Sequence, residues 1–279
     1  MLSMATENRG KLNRLQQLPD GALVDAAWLE RRGYSSSLRS QYVKAGWLNQ
    51  PAPRVYRRGN SPIGWREAII SLQTFLESDL TVGGRSALEE LGYGHYLGRR
   101  REVHLYGAQR PPGWLAALPL EVKFVWHNSR RLFPDDPVVT RSDDAQSGAS
   151  GEPLPVLPDG FLISDGTAKW GLRLASAERA LFQLLDELPG RETFHQVDML
   201  MEGLANLSPR SLQVQLASCT SIKVKRLFFY FADRHRHAWL ERLDRSAVDL
   251  GTGKRVLVKG GKLDPTYLIT VPEELDGLS

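Results

Sequence analysis

The chain has 279 residues, 42% of them apolar, with 36 Lys and Arg against 32 Asp and Glu and a single cysteine. That apolar share is enough for packed cores and excludes a disordered chain. Cys219, alone, excludes an internal disulfide framework and a thiolate metal cluster, and no apolar run reaches the ~18–20 residues that span a bilayer. The start, MLSMATENRGKLNRL, lacks the continuous apolar stretch of a secretory signal, so a cytoplasmic protein without a membrane partner is the expectation. Charge is unevenly placed. Residues 1–60 carry ten Lys and Arg against four Asp and Glu, and the rest of the chain carries 26 against 28. A small basic region joined to a near-neutral body suggests a polyanion-binding module on a larger domain.

In chain order, NRGKLNRLQQL (8–18) places Leu12, Leu15 and Leu18 near one helical face. Pro19-Asp20-Gly21 reads as a turn. DAAWLERR predicts a second helix with Asp25 as its N-cap and Gly33 in the left-handed position beyond its end. Ser35 caps a third helix that Gly46 ends, and Trp47-Leu48 and Val55-Tyr56-Arg57 are two short strand candidates joined by a proline-containing turn. Three helices and a hairpin within 60 residues is the order of a winged helix-turn-helix. From Ser61 the pattern becomes mixed: a helix over 65–79, a short strand at Thr81-Val82, a helix in SALEELG, and strands over 101–107 and 120–126. RSDDAQSGASGEPLP (141–155) reads as a mobile surface loop. Helices then dominate: 175–188 with Ser176 as N-cap, one near 195–205, one opened by Ser208-Pro209, KVKRLFFYFADR and HAWLERL. The tail returns to strands in KRVLVK and TYLITV. The expected fold class is mixed α+β: a winged helix-turn-helix over 1–60 and an α/β domain with several helices and short strands over 61–279.

The third helix carries the chemistry. Stepping 100° per residue from 36 to 45 clusters Leu38, Tyr42 and Ala45 as the packing side, with Gln41 at its margin, and puts Ser36, Arg39, Ser40, Val43 and Lys44 opposite. A major-groove helix needs such a face: slim, with donors for base edges and charge for phosphates. Ser36, Arg39, Ser40 and Val43 are the expected base readers, with Arg39 matched bidentately to guanine and Val43 to a thymine methyl. Lys11, Arg14, Ser37, Lys44, Arg54, Arg57 and Arg58 are the expected phosphate and wing contacts.

These residues resemble a known family. NRGKLNRL, WLERRGYSSSLRSQYVKAGWL and Tyr56-Arg57-Arg58 are similar to the N-terminal domain of the AbiEi family, antitoxins and transcriptional regulators of type IV toxin–antitoxin systems. GGRSALEELGYGHYL, REVHLYG, RLASAERALFQLLDELP, SIKVKRLFFYFADRHRHAWLERL and GKRVLVKGGKLDPTYLITV resemble its central and C-terminal parts, with 141–155 the main unmatched stretch. The resemblance implies that the N-terminal domain binds inverted repeats in double-stranded DNA of its own promoter and represses the operon. It implies that the C-terminal domain carries antitoxin activity against a nucleotidyltransferase-like toxin, leaving open whether the two touch. The family pattern has a glycine two residues before the wing tyrosine. Here Arg54 stands there, with Pro51 and Pro53 upstream, so a wider and more rigid hairpin is expected.

Other chemistries are weaker. Glu121-Val-Lys123 mimics a PD-(D/E)xK nuclease strand but lacks an upstream metal-binding Asp, and the alternating residues Leu120, Val122, Phe124 and Trp126 suit burial. Asp233, His235 and His237 have ligand-like spacing but fall between helices. Gly251-Thr-Gly253-Lys254 lacks P-loop spacing. No catalytic residue, metal or cofactor is expected. The alternative functions are a protein-interaction module that neutralises a partner by direct contact and, further off, a nuclease.

Overall fold

The computed structural model describes residues 10–96, 102–136, 160–164, 171–273 and 275. The expected loop at 141–155 lies outside them, as do residues 1–9. The first helix, α1, occupies 10–16 and ends in the Pro19–Gly21 turn, closed by Ala22 N–H donating to Pro19 O at 3.1 Å. A strand that sequence reading did not anticipate follows, β1 (Leu23–Asp25). Then come α2 (Ala26–Arg31), α3 (Ser36–Lys44), β2 (Asn49–Ala52) and β3 (Val55–Arg57). The element order is that of a winged helix-turn-helix, and the sheet runs β1-β3-β2, all antiparallel.

The caps form as the residue types dictate. Asp25 accepts from Trp28 N–H at 2.7 Å, Ser35 accepts from Leu38 N–H at 3.3 Å, and Gly33 and Gly46 sit at φ +82° and +74°, where a side chain would be strained. Strand periodicity then gives the small sheet two apolar faces. Val24 and Tyr56 join Leu15, Trp28, Leu29, Leu38, Tyr42 and Leu48 in one core under the helices. Leu23, Ala52 and Val55 face the other way, into the larger core shared with α4 (Trp65–Phe75). Leu23 N–H donates to Ser71 Oγ of α4 at 3.0 Å, so the helix beyond the expected boundary at residue 60 clamps the sheet.

The larger part is built on a five-stranded mixed sheet in the order β6-β5-β4-β8-β7, from β4 (Thr81–Val82), β5 (Glu102–Gly107), β6 (Lys123–Asn128), β7 (Phe161–Ser164) and β8 (Leu172–Ala175). β5 runs parallel to β6 and antiparallel to β4, and β8 runs parallel to β4 and antiparallel to β7. Of the helices α5 (Gly84–Glu90), α6 (Ala177–Asp186), α7 (Phe194–Gly203), α8 (Pro209–Ser218) and α9 (Ile222–His235), α5, α8 and α9 pack against α6, which is buried along most of its length, and α7 packs against α9. Its Leu181, Phe182, Leu184 and Leu185 meet Leu227, Phe228 and Phe231 of α9 in the main core.

Several expected elements change. HAWLERL forms only a 3₁₀ turn, Leu240–Arg242. KRVLVK contributes a single bridge, Arg255 to Ile269, and the terminal hairpin is instead β9 (Lys262–Asp264) with β10 (Ile269–Val271). The strand expected over 120–126 starts at Lys123. Strands β7 and β8 fall in a stretch that sequence reading left without strands.

Candidate nucleic-acid interface

On α3 the buried residues are Leu38, Arg39 and Tyr42, and Val43 is half-buried against the same core. Ser36, Ser37, Ser40, Gln41, Lys44 and Ala45 are exposed. The outer arc is therefore rotated by about 60° from the expected one, because Ala45 lies outside the core and Arg39 inside it. Arg39 is 5% exposed. Its guanidinium donates to Tyr34 O at 2.8 Å and Ala26 O at 3.5 Å and pairs with Glu30 at 2.8 Å, above the Tyr56 ring. These bonds tie α2, the α2–α3 turn and α3 together, and they consume the fork that would read guanine. Val43 likewise has its methyls turned toward the core. Two of the four expected base readers, Arg39 and Val43, thus face inward, while Ser36 and Ser40 are exposed.

Two of the three hairpin arginines, Arg57 and Arg58, also turn inward. Arg57 is buried, in register with Leu23 on β1. Arg58 is half-buried and donates to Gln16 O and, at 2.7 Å, to Leu18 O, capping the carbonyls at the end of α1. Arg54 is exposed and takes φ +64° itself. With Ala52 paired to Val55, the turn is a tight two-residue Pro53-Arg54 connection, not the wider hairpin expected; proline at the first turn position and a left-handed second residue match a type II turn. The Arg54 carbonyl accepts from Ala26 N–H at 2.8 Å, so the tip is held against the start of α2, beside a cleft of about 340 Å³ that Trp114 also lines.

The polar surface left around α3 consists of Ser36, Ser37, Ser40, Gln41 and Lys44, with Arg14 exposed and Lys11 half-buried on α1. Sequence reading missed three exposed neighbours: Gln41, Arg31 at the end of α2, and Trp47, 47% exposed just after α3. Anchoring the helical projection on the Ser35 cap, Leu38 and Tyr42 alone would have found Gln41. No α3 residue is acidic, and the nearest acid, Glu30, is already paired with Arg39.

The larger part also contains clusters of titratable groups. Among the described residues, His104, His127 and Glu187 form the one group close enough to share a metal. Their geometry favours protons. His104 Nδ1 and His127 Nε2 are 3.0 Å apart, with the ring planes within 9° and centroids 5.1 Å apart, so the rings meet edge to edge with their nitrogens aimed at each other. A divalent ion needs both lone pairs to converge on it at about 2.0–2.1 Å. Glu187 Oε1 lies 3.2 Å from His127 Nδ1, which makes His127 Nε2 the acceptor and His104 Nδ1 the donor. Burial, reinforced by His127, pushes His104 down to about 4. Burial opposes ionisation of Glu187, but the hydrogen bond and charge of His127 outweigh it and hold the carboxyl below its usual range. Asp233, His235 and His237 diverge: Asp233 pairs with Arg245 and accepts from the Tyr267 hydroxyl, His235 meets Asp198 at 2.8 Å, and His237 meets Met201 O at 2.7 Å. Glu121 precedes β6 and is exposed, while Lys123 lies 3.7 Å from Glu102, so the nuclease-like pair does not converge on a site. Gly251–Lys254 is a turn tied down by Arg226, which donates to Gly253 O and Leu250 O at 2.7 Å each.

Residues 8–99 match the family described as transcriptional regulator, AbiEi antitoxin N-terminal domain, and residues 100–272 match that described as transcriptional regulator, AbiEi antitoxin, type IV TA system. The fold is similar to that of the RV2827C protein from Mycobacterium tuberculosis, a crystal structure, with a TM-score of 0.52 at 16% identity over 92% of this chain and 88% of that one. No curated protein matches the sequence.

Proposed function

This chain belongs to the AbiEi antitoxin family of transcriptional regulators of type IV toxin–antitoxin systems, and from that premise we propose that it binds operator DNA through the outer face of α3. The observation that carries this reading is that face itself. It is a nine-residue helix held by its Ser35 cap and by Arg39, offering three serines, a glutamine and a lysine with no acidic side chain. Such a surface is slim enough for a major groove and has donors for base edges and phosphates. Lys44, Arg14, Lys11 and Arg54 supply the phosphate contacts.

In this reading residues 1–60 form the DNA-binding unit, a winged helix-turn-helix, with α4 as its buttress. The unit binds inverted repeats in its own promoter and represses the operon. The remainder counters a nucleotidyltransferase-like toxin and has no catalytic role of its own. Among the described residues no helix is long and apolar enough to cross a membrane. Gel shifts of the full chain against its own upstream region, across a salt series, test the proposal. A retarded complex that weakens with salt is expected, and no binding to any duplex at low salt would overturn it. Co-purification with the product of the neighbouring gene separates direct neutralisation, which gives a stable complex, from indirect antagonism, which rescues cells without one.

A further inference from the structure

We infer that Gln41 is the specificity-determining residue of this interface and that it selects an A·T pair by holding adenine in the major groove. The inference rests on the DNA-binding role proposed above and adds to it the identity of the reader and of the base.

Elimination among the side chains of α3 singles out Gln41. Discriminating a base pair in the major groove takes a donor and acceptor pattern that only one base matches, and the strong matches are bidentate. Arg39, the guanine reader expected from sequence, has its guanidinium occupied by Glu30, Tyr34 O and Ala26 O inside the fold. Ser36, Ser37 and Ser40 each offer one hydroxyl, which serves as donor or acceptor to any base or to a phosphate. The Ser37 hydroxyl is, in addition, within 3.0 Å of the Ser35 hydroxyl. Lys44 also matches guanine chemically, but it stands in the last turn of α3, whereas a recognition helix meets base edges with its earlier residues, so its charge falls to a phosphate. Gln41 is different. Its amide presents an N–H₂ donor and a carbonyl acceptor side by side, the complement of adenine N7 and N6–H₂.

Its surroundings leave it available. Gln41 is exposed, and its side chain makes no hydrogen bond among the described residues. Its helical neighbours at i−4 and i+4 are Ser37 and Ala45, both exposed and short. The amide therefore stands above its flanks on the Ala45 side of the outer arc, about 40° around the helix from Ser37 and about 60° from Lys44. Arg39 contributes indirectly by neutralising Glu30, the acid nearest this face, and by fixing the pitch of α3 against α2.

Selection from a randomised duplex pool by the full wild-type chain, Gln41→Ala and Gln41→Lys tests the inference. Each variant is checked by its thermal midpoint, which an exposed position leaves in place. The wild type should enrich an A·T pair at one position in each half-site. Gln41→Ala should flatten that position alone, losing about tenfold discrimination. Gln41→Lys should shift the same position toward G·C, since lysine pairs with guanine O6 and N7, and misfolding cannot mimic a switched preference. If all three proteins enrich one motif with the same weights, the inference is overturned while operator binding stands. If the wild type binds duplexes without enriching any sequence, the inference also falls. If it binds no duplex at all, both fall together.

Discussion

The two parts of the molecule differ in how often an inward arginine finds a carboxylate: among the described residues, once in the small part, with Arg39–Glu30, and repeatedly in the larger one. In the small N-terminal part, Arg39 and Arg58 are satisfied largely by backbone carbonyls: Tyr34 and Ala26 for the first, Gln16 and Leu18 for the second. In the larger part Arg85–Glu192, Arg179–Asp136 and Arg234–Asp198 bring inward arginines to carboxylates, while Arg173 and Arg226 are held, as in the small part, by backbone carbonyls. The reason is supply. The first 60 residues hold only four acids, one of them, Glu7, outside the described residues, whereas helix ends leave several carbonyls without intrahelical partners. A count of basic residues therefore overstates the charge that the N-terminal part presents to a polyanion. The near-zero balance of the larger part reflects pairing inside it.

The sharpest way to break this contrast is to remove one carboxylate from the larger part. Arg85 and Glu192 are 1% and 0% exposed. Glu192→Ala should strand a buried cation and destabilise the fold by about 3–5 kcal/mol, read as a lowered urea midpoint. A change under about 1 kcal/mol would mean that the pair behaves as a surface one. Acid should act next most strongly, through His104. Its folded-state value of about 4 lies below the ordinary ~6.5 of histidine, so the unfolded chain takes up the proton first. The stability this represents, about 3 kcal/mol, is complete above pH ~6.5 and is lost as pH falls toward 4. Glu187, held below its usual range, acts in the same direction at lower pH. Unfolding curves at pH 7 and pH 5 measure the loss, and His104→Phe should flatten the dependence.

Arg39→Ala probes the small part. Losing a charged hydrogen-bond network should cost about 2–3 kcal/mol and weaken binding to every duplex alike, because α3 loses its anchor. A loss confined to one base pair in a competition assay would mean that Arg39 reads a base, against its buried position. The mildest test is ionic. With Arg39, Arg57 and Arg58 turned inward, about four outward cations per chain remain for phosphates, giving a log–log salt slope near −3.6. About six neutralised phosphates would instead give a slope near −5, and would mean that inward arginines swing out on binding.

Much of the local structure was legible because local rules set it. Asp25, Ser35, Ser176 and Ser208 cap helices as their side-chain chemistry requires, and Gly33 and Gly46 take the left-handed positions expected of them. The strand β1 was hidden because both faces of the small sheet are covered, so Leu23 and Val24 show no polar alternation. Strands β7 and β8 were hidden because they exist through pairing with each other and with β4, far away in sequence. The tight hairpin turn was misjudged because Arg54 tolerates φ +64° where its carbonyl is held by Ala26 N–H.

The candidate interface divides in the same way. Sequence alone determined the family, the presence and caps of α3, and the exposure of Ser36, Ser40 and Lys44, since each depends on residues within one or two helical turns. Only the tertiary structure decided which polar side chains of that region face outward. Arg39 points inward because Glu30, nine residues earlier, and two carbonyls converge on it, and Gln41 is exposed because Ala45 lies outside the core. A long cation can snorkel outward or turn inward at almost equal local energy, so the choice rests with partners that folding brings together.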